Sequence, residues 1–199
     1  MKMAWIYMDS GFGSRFGENK LLVELGGKPL YRHGLDCLLQ AMERVETEME
    51  GWQVQLIVVS QYREILETAA ALGAEPVMNP QSGEGIAASL RFGTEAARDA
   101  QILVYCVADQ PGMRPESFVD FLKGFAESGK GMGCVCSGGR RGNPAAFRAD
   151  YREELLKLTG DRGGSRLLKR FPEDVWQWSV EERELQDVDL PEDLRQWKE

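Results

Sequence analysis

Histidine is nearly absent from these 199 residues: His33 stands alone, so no site built on two or three histidines can be assembled. The nucleophile motif Gly-x-Ser-x-Gly is missing too. Positive charge is in short supply, with 24 Lys and Arg against 32 Asp and Glu, a net charge of −8. That balance argues against a non-specific nucleic-acid or anionic-membrane binder, and any polyanionic ligand needs a locally basic site. No apolar run approaches the roughly 20 residues of a membrane span. The start, Met1 to Gly11, is too short and too early broken for a signal peptide, so a cytoplasmic chain is expected. Only four cysteines are present (Cys37, Cys106, Cys134 and Cys136), and a chain of this size needs no disulfide staples. Cys134-Val135-Cys136 puts two thiols on one face of a strand, which leaves a metal or redox role open beside that of small buried hydrophobes. No second cysteine pair stands at zinc-like spacing. Repeats, linkers and low-complexity tracts are absent, so one domain over residues 1–199 is expected.

What is present is alternation. Apolar strand-like runs at Met3–Met8, Gln55–Ser60, Glu75–Met78, Ile102–Ala108 and Gly133–Ser137 alternate with segments of helical period at Pro29–Met49, Tyr62–Leu72, Gly85–Arg98 and Pro115–Glu127. Short helices are expected at Asp150–Leu158 and Gly164–Arg170, an edge strand at Val175–Ser179, and a closing helix at Pro191–Lys198. Near-continuous apolar strands mean burial on both faces, and the pattern gives a mainly parallel, doubly wound sheet between helical layers. Ligands in such sheets bind at the carboxyl ends of strands near the switch point, which directs attention to the loops after those ends.

The loop Gly11-Phe12-Gly13-Ser14-Arg15-Phe16-Gly17-Glu18-Asn19-Lys20 follows the first strand. Its glycines allow backbone N–H groups to approach an anion, and Arg15 and Lys20 add charge, although neither Gly-x-Gly-x-x-Gly nor Gly-x-x-x-x-Gly-Lys-Ser/Thr is matched. A solvent-exposed turn with two surface cations accounts for the same residues equally well. Asp109, at the end of an apolar strand in Ala108-Asp109-Gln110-Pro111, suits a divalent cation carrying phosphates, or serves as a turn residue before Pro111. The small residues of Ser82-Gly83-Glu84-Gly85-Ile86-Ala87-Ala88-Ser89 permit a flat ligand at a helix start, and close helix–sheet packing is the plainer use. Ser137 to Pro144 reads as a flexible basic loop or an exposed hairpin connection. Asp187 and Asp189, two apart at a strand end, point to one side. Trp176-Gln177-Trp178 reads as an edge strand with one face buried, or as an exposed partner surface, and His33 as structural.

Taken in order, Gly11-x-x-x-Arg15-Phe16-Gly17-x-x-Lys20-Leu21-Leu22, Gly27-Lys28-Pro29-Leu30, Gly85 to Arg91, Ala108 to Pro111, Arg141-Gly142-Asn143-Pro144, Leu158-Thr159-Gly160-Asp161-x-Gly163 and Asp187 to Leu194 resemble the MobA-like nucleotidyltransferases, closest to the molybdenum cofactor cytidylyltransferase branch. The resemblance implies a three-layer α/β/α Rossmann-like nucleotidyltransferase fold with a mainly parallel central sheet. It also implies Mg²⁺-dependent transfer of CMP from CTP to molybdenum cofactor with release of pyrophosphate. On the same basis Arg15, Lys20 and Asp109 are catalytic, and Asp9, Ser10, Gly11, Phe12, Gly13, Ser14, Arg15, Lys20, Ser82, Gly85 and Ser89 bind the nucleotide. Gln110, Arg140, Arg141, Asn143 and Arg166 face the acceptor, and Asp109, Asp189 and Asp187 hold the metal. Asp9-Ser10 departs from the family's usual small pair, and a carboxylate there suits cytosine N4 or the guanine N1/N2 edge. The alternatives are a guanylyltransferase, a transferase for another phosphorylated acceptor, and a non-catalytic cofactor-delivery protein docking to a molybdenum hydroxylase or its chaperone. Much of the acid excess lies in helical stretches such as Glu43–Glu50 and Glu181–Glu184, whereas Arg15, Lys20, Arg140, Arg141, Arg162 and Arg166 fall in the loops expected at one sheet edge.

Overall fold

The computed structural model describes residues 1–8 and 19–197. The elements run β1 (Lys2–Met8), β2 (Glu24–Leu25), β3 (Lys28–Pro29), α1 (Leu30–Glu48), β4 (Gln53–Ser60), α2 (Arg63–Ala71), β5 (Glu75–Met78), α3 (Ile86–Ala96), β6 (Ile102–Val107), α4 (Pro115–Glu127), β7 (Met132–Ser137), β8 (Arg140–Arg148), α5 (Arg152–Leu156), α6 (Ser165–Arg170) and β9 (Val175–Ser179). Seven strands form one sheet in the order β5-β4-β1-β6-β8-β7-β9, in which only β8 runs against the others. β2 and β3 make a separate small hairpin.

β1 lies inside the sheet between β4 and β6, and its alternating side chains divide the core in two. Met3, Trp5 and Tyr7 pack with Leu30, Leu35 and Leu38 of α1, Ile65 and Leu66 of α2, and Phe118, Phe121 and Phe125 of α4. Ala4, Ile6 and Met8 face the opposite layer, with Ala87 and Leu90 of α3, Leu155 of α5 and Leu167 of α6. The three-layer arrangement inferred from the apolar runs is therefore the one observed. Close approach is paid for in side-chain volume: a Cβ on Gly93 of α3 would lie 2.3 Å from Ile6 Cγ2. On the other face, a Cβ on Gly34 of α1 would stand 2.6 Å from Tyr7 Oη, which donates to the Tyr31 carbonyl at 2.6 Å. Gly34→Ala is expected to cost about 1–2 kcal/mol despite alanine's better helix propensity, because the buried tyrosine must move. An unchanged or raised thermal midpoint would contradict this.

Two expectations need correction. Residues 137–144 are not a flexible basic loop but, as the alternative reading had it, a hairpin connection: Gly138 and Gly139, with φ of 55° and 81°, make a two-residue turn, and Arg140 begins β8. Left-handed φ at both turn positions is what joins antiparallel strands tightly. Between the pairs Cys134↔Ala145 and Val135↔Gly142, Asn143 and Pro144 have no partners on β7, so the proline's missing N–H is harmless there. The second correction concerns the C-terminus, where a single 3₁₀ segment, Asp193–Trp197, stands in place of the expected helix. Asp193 Oδ2 accepts from the N–H groups of Asp189 and Leu190, which holds the chain in that turn.

All four thiols are free, and burial pushes Cys134 up to about 11, which leaves it protonated at neutral pH. Trp176 stacks on Phe121 and on Trp178, with ring centroids at 5.7 and 5.6 Å, and a Cβ on Gly124 would meet its ring at 2.5 Å. β9 is thus an edge strand whose Trp176 packs on α4, as the plainer reading had it. His33 Nε2 lies 2.8 Å from the Leu25 carbonyl, a structural contact to the small hairpin. Among the described residues no helix is long and apolar enough to cross a membrane.

Candidate active site

The site forms where β1 and β6 end. Their carboxyl ends are tied by Ala108 N–H donating to the Met8 carbonyl at 2.9 Å. β6 is apolar and buried along its whole length, so Asp109 emerges from it into a site only 6 % exposed. A carboxylate there requires a cation. Lys20, in the turn Lys20–Leu22 that Asn19 caps, provides it: Lys20 Nζ donates to Asp109 Oδ2 at 2.8 Å. The same ammonium donates to Asp189 Oδ1 and to the Val188 carbonyl, both at 3.1 Å. Burial works to lower the Lys20 pKa, but the charges and hydrogen bonds of Asp109 and Asp189 outweigh it and hold the group above its usual value.

The C-terminal segment is brought to this point by two fastenings. Val188 N–H donates to the Asp109 carbonyl at 2.9 Å. Upstream, Glu184 is 2 % exposed and accepts from the Arg114 N–H and guanidinium, the Ser117 hydroxyl and the Glu181 N–H, at 3.0–3.3 Å. Asp187 belongs to the same cluster: desolvation, then the neighbouring Asp109 charge, push its carboxyl above the usual range. Gln110 Nε2 donates to Asp187 Oδ1 at 2.6 Å, so this side chain is spent on orienting a carboxylate.

Other residues singled out in the sequence sit at varying remove. Asp9, Ser10, Gly11, Phe12, Gly13, Ser14 and Arg15 lie outside the described residues. Gly85 has φ of 89°, and a Cβ on it would lie 2.5 Å from the Gly160 backbone; Ala87 N–H also donates to the Gly160 carbonyl. The start of α3 is thereby docked on the loop at 160–161. Ser89 is buried and accepts from Asn79 Nδ2, while the Ser82 hydroxyl bonds Gln61. A cavity of about 200 Å³ lies beside α3, lined by Met8, Ile86, Val107, Asn143, Asp161 and Ser165 among others. An open polar cleft on the Asp187–Asp189 side is lined by Arg140, Arg183 and Gln186 as well. Arg140 is anchored by donating to the Leu185 carbonyl at 2.8 Å. Arg141 turns away, to the Leu168 carbonyl and Gln177. Arg166 lines a different cleft, with Lys157, Arg162 and Arg170, so the cations do not all gather at one place.

The donor set at Asp109 and Asp189 is hard oxygen, the type that Mg²⁺ and Mn²⁺ take, and one cation already bridges the pair. Among the described residues, no three His, Cys, Asp or Glu side chains are arranged to hold a metal ion by themselves. Two features have no counterpart in the sequence reading: the direct ion pair between Lys20 and Asp109, which it placed in one site without contact, and the Glu184 hub. Ser/Glu-x-x-Glu spacing at Glu181–Glu184, a reciprocal cap, was the available signal for the second.

The sequence matches the family described as MobA-like NTP transferase domain over residues 8–175. No curated protein matches the chain. Among solved structures, Rv0371c of Mycobacterium tuberculosis H37Rv in complex with manganese is 20% identical, with a TM-score of 0.76 over 99% of this chain and 98% of that one. A nucleotidyl transferase of a Methanothermobacter species is 23% identical, TM-score 0.76, over 98% and 95%. Molybdopterin-guanine dinucleotide biosynthesis protein A of Archaeoglobus fulgidus is 19% identical, TM-score 0.66, over 99% and 96%. At these identities the likeness is one of fold.

Proposed function

The chain belongs to the MobA-like NTP transferase domain family, and from that premise we propose that it transfers CMP from CTP to the terminal phosphate of molybdopterin or molybdenum cofactor. The observation that carries the proposal is the meeting of Lys20, Asp109 and Asp189 at the carboxyl ends of β1 and β6. Cation and carboxylates together there suit a triphosphate and its divalent ion, and the open polar cleft beside Asp187 and Asp189 leaves room for a second substrate. CTP is chosen on the resemblance of Lys20-Leu21-Leu22 and Gly85-Ile86-Ala87-Ala88-Ser89 to the cytidylyl branch. The molybdopterin acceptor draws on the same motifs and on the Archaeoglobus neighbour named for it.

An oxygen of the acceptor phosphate attacks the α-phosphorus of CTP; the bond to the β-phosphate oxygen breaks, and pyrophosphate leaves with the electron pair. The nucleophile is already ionised, so no general base is required, in keeping with a single structural histidine. The backbone of Gly11 to Gly17 with Arg15 would cradle the triphosphate, and Lys20 would neutralise charge at the α-phosphate and leaving group. Asp109 and Asp189, with Asp187 nearby, would hold Mg²⁺, which supplies charge neutralisation on the phosphates. Asp9 would accept from cytosine N4, and Ser82, Gly85 and Ser89 would shape the wall beside ribose and base. Arg140 and Asn143 would meet the acceptor, while Gln110 and Arg141 act by holding Asp187 and the β8–α6 contact. Arg166, lining the separate cleft, would meet only an extended acceptor.

Lys20→Ala is expected to lower kcat/KM for the nucleotide by about a hundredfold and to change the acceptor KM much less. Steady-state kinetics with each substrate varied in turn check it; an unchanged kcat/KM for the nucleotide would contradict the assignment. The reading as a whole is tested by pyrophosphate release with each of the four NTPs, Mg²⁺ and molybdopterin cofactor. Release with CTP alone supports it. Release with GTP instead would make the chain a guanylyltransferase, and release with no nucleotide would favour the delivery-protein alternative.

A further inference from the structure

Lys20 and a divalent cation compete for the same two carboxylates. An ammonium has three N–H donors, and those of Lys20 are directed to Asp109 Oδ2, Asp189 Oδ1 and the Val188 carbonyl, at 2.8, 3.1 and 3.1 Å. None is left over for a phosphate oxygen. The role proposed for Lys20 on the triphosphate therefore requires it to leave at least one present partner. Its head is buried, 8 % exposed at the side chain, as is that of Asp109. In such surroundings, a second cation on the same oxygens would meet the ammonium with little solvent screening between them.

We propose that Lys20 is a built-in stand-in for the metal: in the nucleotide-free protein it holds Asp109 and Asp189 and keeps a divalent ion out, and a triphosphate draws it away and opens the pair. This rests on the reading of Asp109 and Asp189 as metal ligands, but not on which base or acceptor is used. Three features make the exchange physically reasonable. The lysine head is a compact charge on a flexible four-carbon stem, so it can change partners without movement of the backbone. Asp109 is fixed from outside the exchange, through its carbonyl and Val188 N–H, and so keeps its place when Lys20 departs. Asp189 is the more accessible partner, at 57 % side-chain exposure, and its N–H is held by Asp193. The backbone that carries each carboxylate is thus held independently of which cation the pair binds. The consequence is ordered loading: metal without nucleotide binds weakly, and metal and triphosphate each strengthen the binding of the other.

Removing the ammonium leaves two neighbouring carboxylates without their shared cation, so nucleotide-free Lys20→Gln and Lys20→Met proteins should bind Mn²⁺ about tenfold more tightly than wild type, or better still. Titration with Mn²⁺ alone, followed by electron paramagnetic resonance, reads this directly without turnover. Adding Asp189→Asn to Lys20→Gln should abolish the gain, which ties the new affinity to this pair. Lys20→Gln retains length and a donor, so it keeps the test open should Lys20→Met fail to fold. On wild-type protein, inorganic triphosphate should shift the ¹⁵N-lysine ammonium resonance of Lys20. Equal or weaker Mn²⁺ binding in Lys20→Gln, a gain that survives Asp189→Asn, or a Lys20 resonance indifferent to triphosphate would each overturn the proposal. The failure of CTP as substrate would leave these Mn²⁺ measurements unaffected, so the two readings fail separately.

Discussion

Asp109→Asn is expected to lower turnover by about a thousandfold while leaving the fold intact. The amide has nearly the volume of the carboxylate, and the backbone link that organises this turn, Val188 N–H to the Asp109 carbonyl, does not involve the side chain. What is lost is the buried negative charge, 6 % exposed at the end of an apolar strand, that fixes Lys20 and would hold the divalent ion. An asparagine oxygen can still accept one N–H from Lys20, but it does not supply the charge on which both cations depend. Circular dichroism should therefore be unchanged as steady-state turnover collapses. Activity within tenfold of wild type would remove Asp109 from the reacting centre.

Glu184→Ala should act from a distance and mainly on stability, at about 3 kcal/mol, with a fall of roughly 6–12 °C in the thermal midpoint. Glu184 is buried at 2 % exposure and satisfies two backbone N–H groups, a hydroxyl and a guanidinium at once. Because Arg114 is itself half exposed, its ion pair contributes less than the backbone contacts do. These contacts join the start of α4 to the segment that carries Asp187 and Asp189 onward to Lys20. Loss of the hub should loosen that segment and lower turnover by about tenfold as a secondary effect. Glu184→Gln, which keeps an acceptor oxygen, should recover part of both losses. A midpoint within a degree of wild type in Glu184→Ala would show that the C-terminal segment is held by other means.

The layers of this fold were readable because its parallel strands are buried on both faces. Leu56-Ile57-Val58-Val59 and Ile102 to Val107 are continuous apolar runs, and periodicity alone places helices around them. β8 escaped notice for a physical reason: Arg140-Arg141-Gly142-Asn143-Pro144 has neither the alternation nor the composition of a strand, and two of its residues have no partner on β7. The twin glycines before it were the legible clue. Asp109 could be singled out from its place after an apolar strand, and Asp187 and Asp189 from their spacing. Their association with Lys20 could not, since 89 residues separate Lys20 from Asp109 and no local pattern encodes so distant an ion pair. In the sequence Glu184 stands only as part of an acid-rich stretch, Glu181–Glu184. Four polar contacts instead stabilise it in the interior, the usual condition for a buried charge.

The proposal that a nucleoside monophosphate moves from CTP to a phosphorylated pterin is tested most directly by following the α-phosphorus. With CTP labelled at that position, Mg²⁺ and molybdopterin cofactor, the label should appear in a product whose mass equals acceptor plus CMP, with one pyrophosphate released for each. Label that stays in CTP, or that appears only as free CMP, would contradict it.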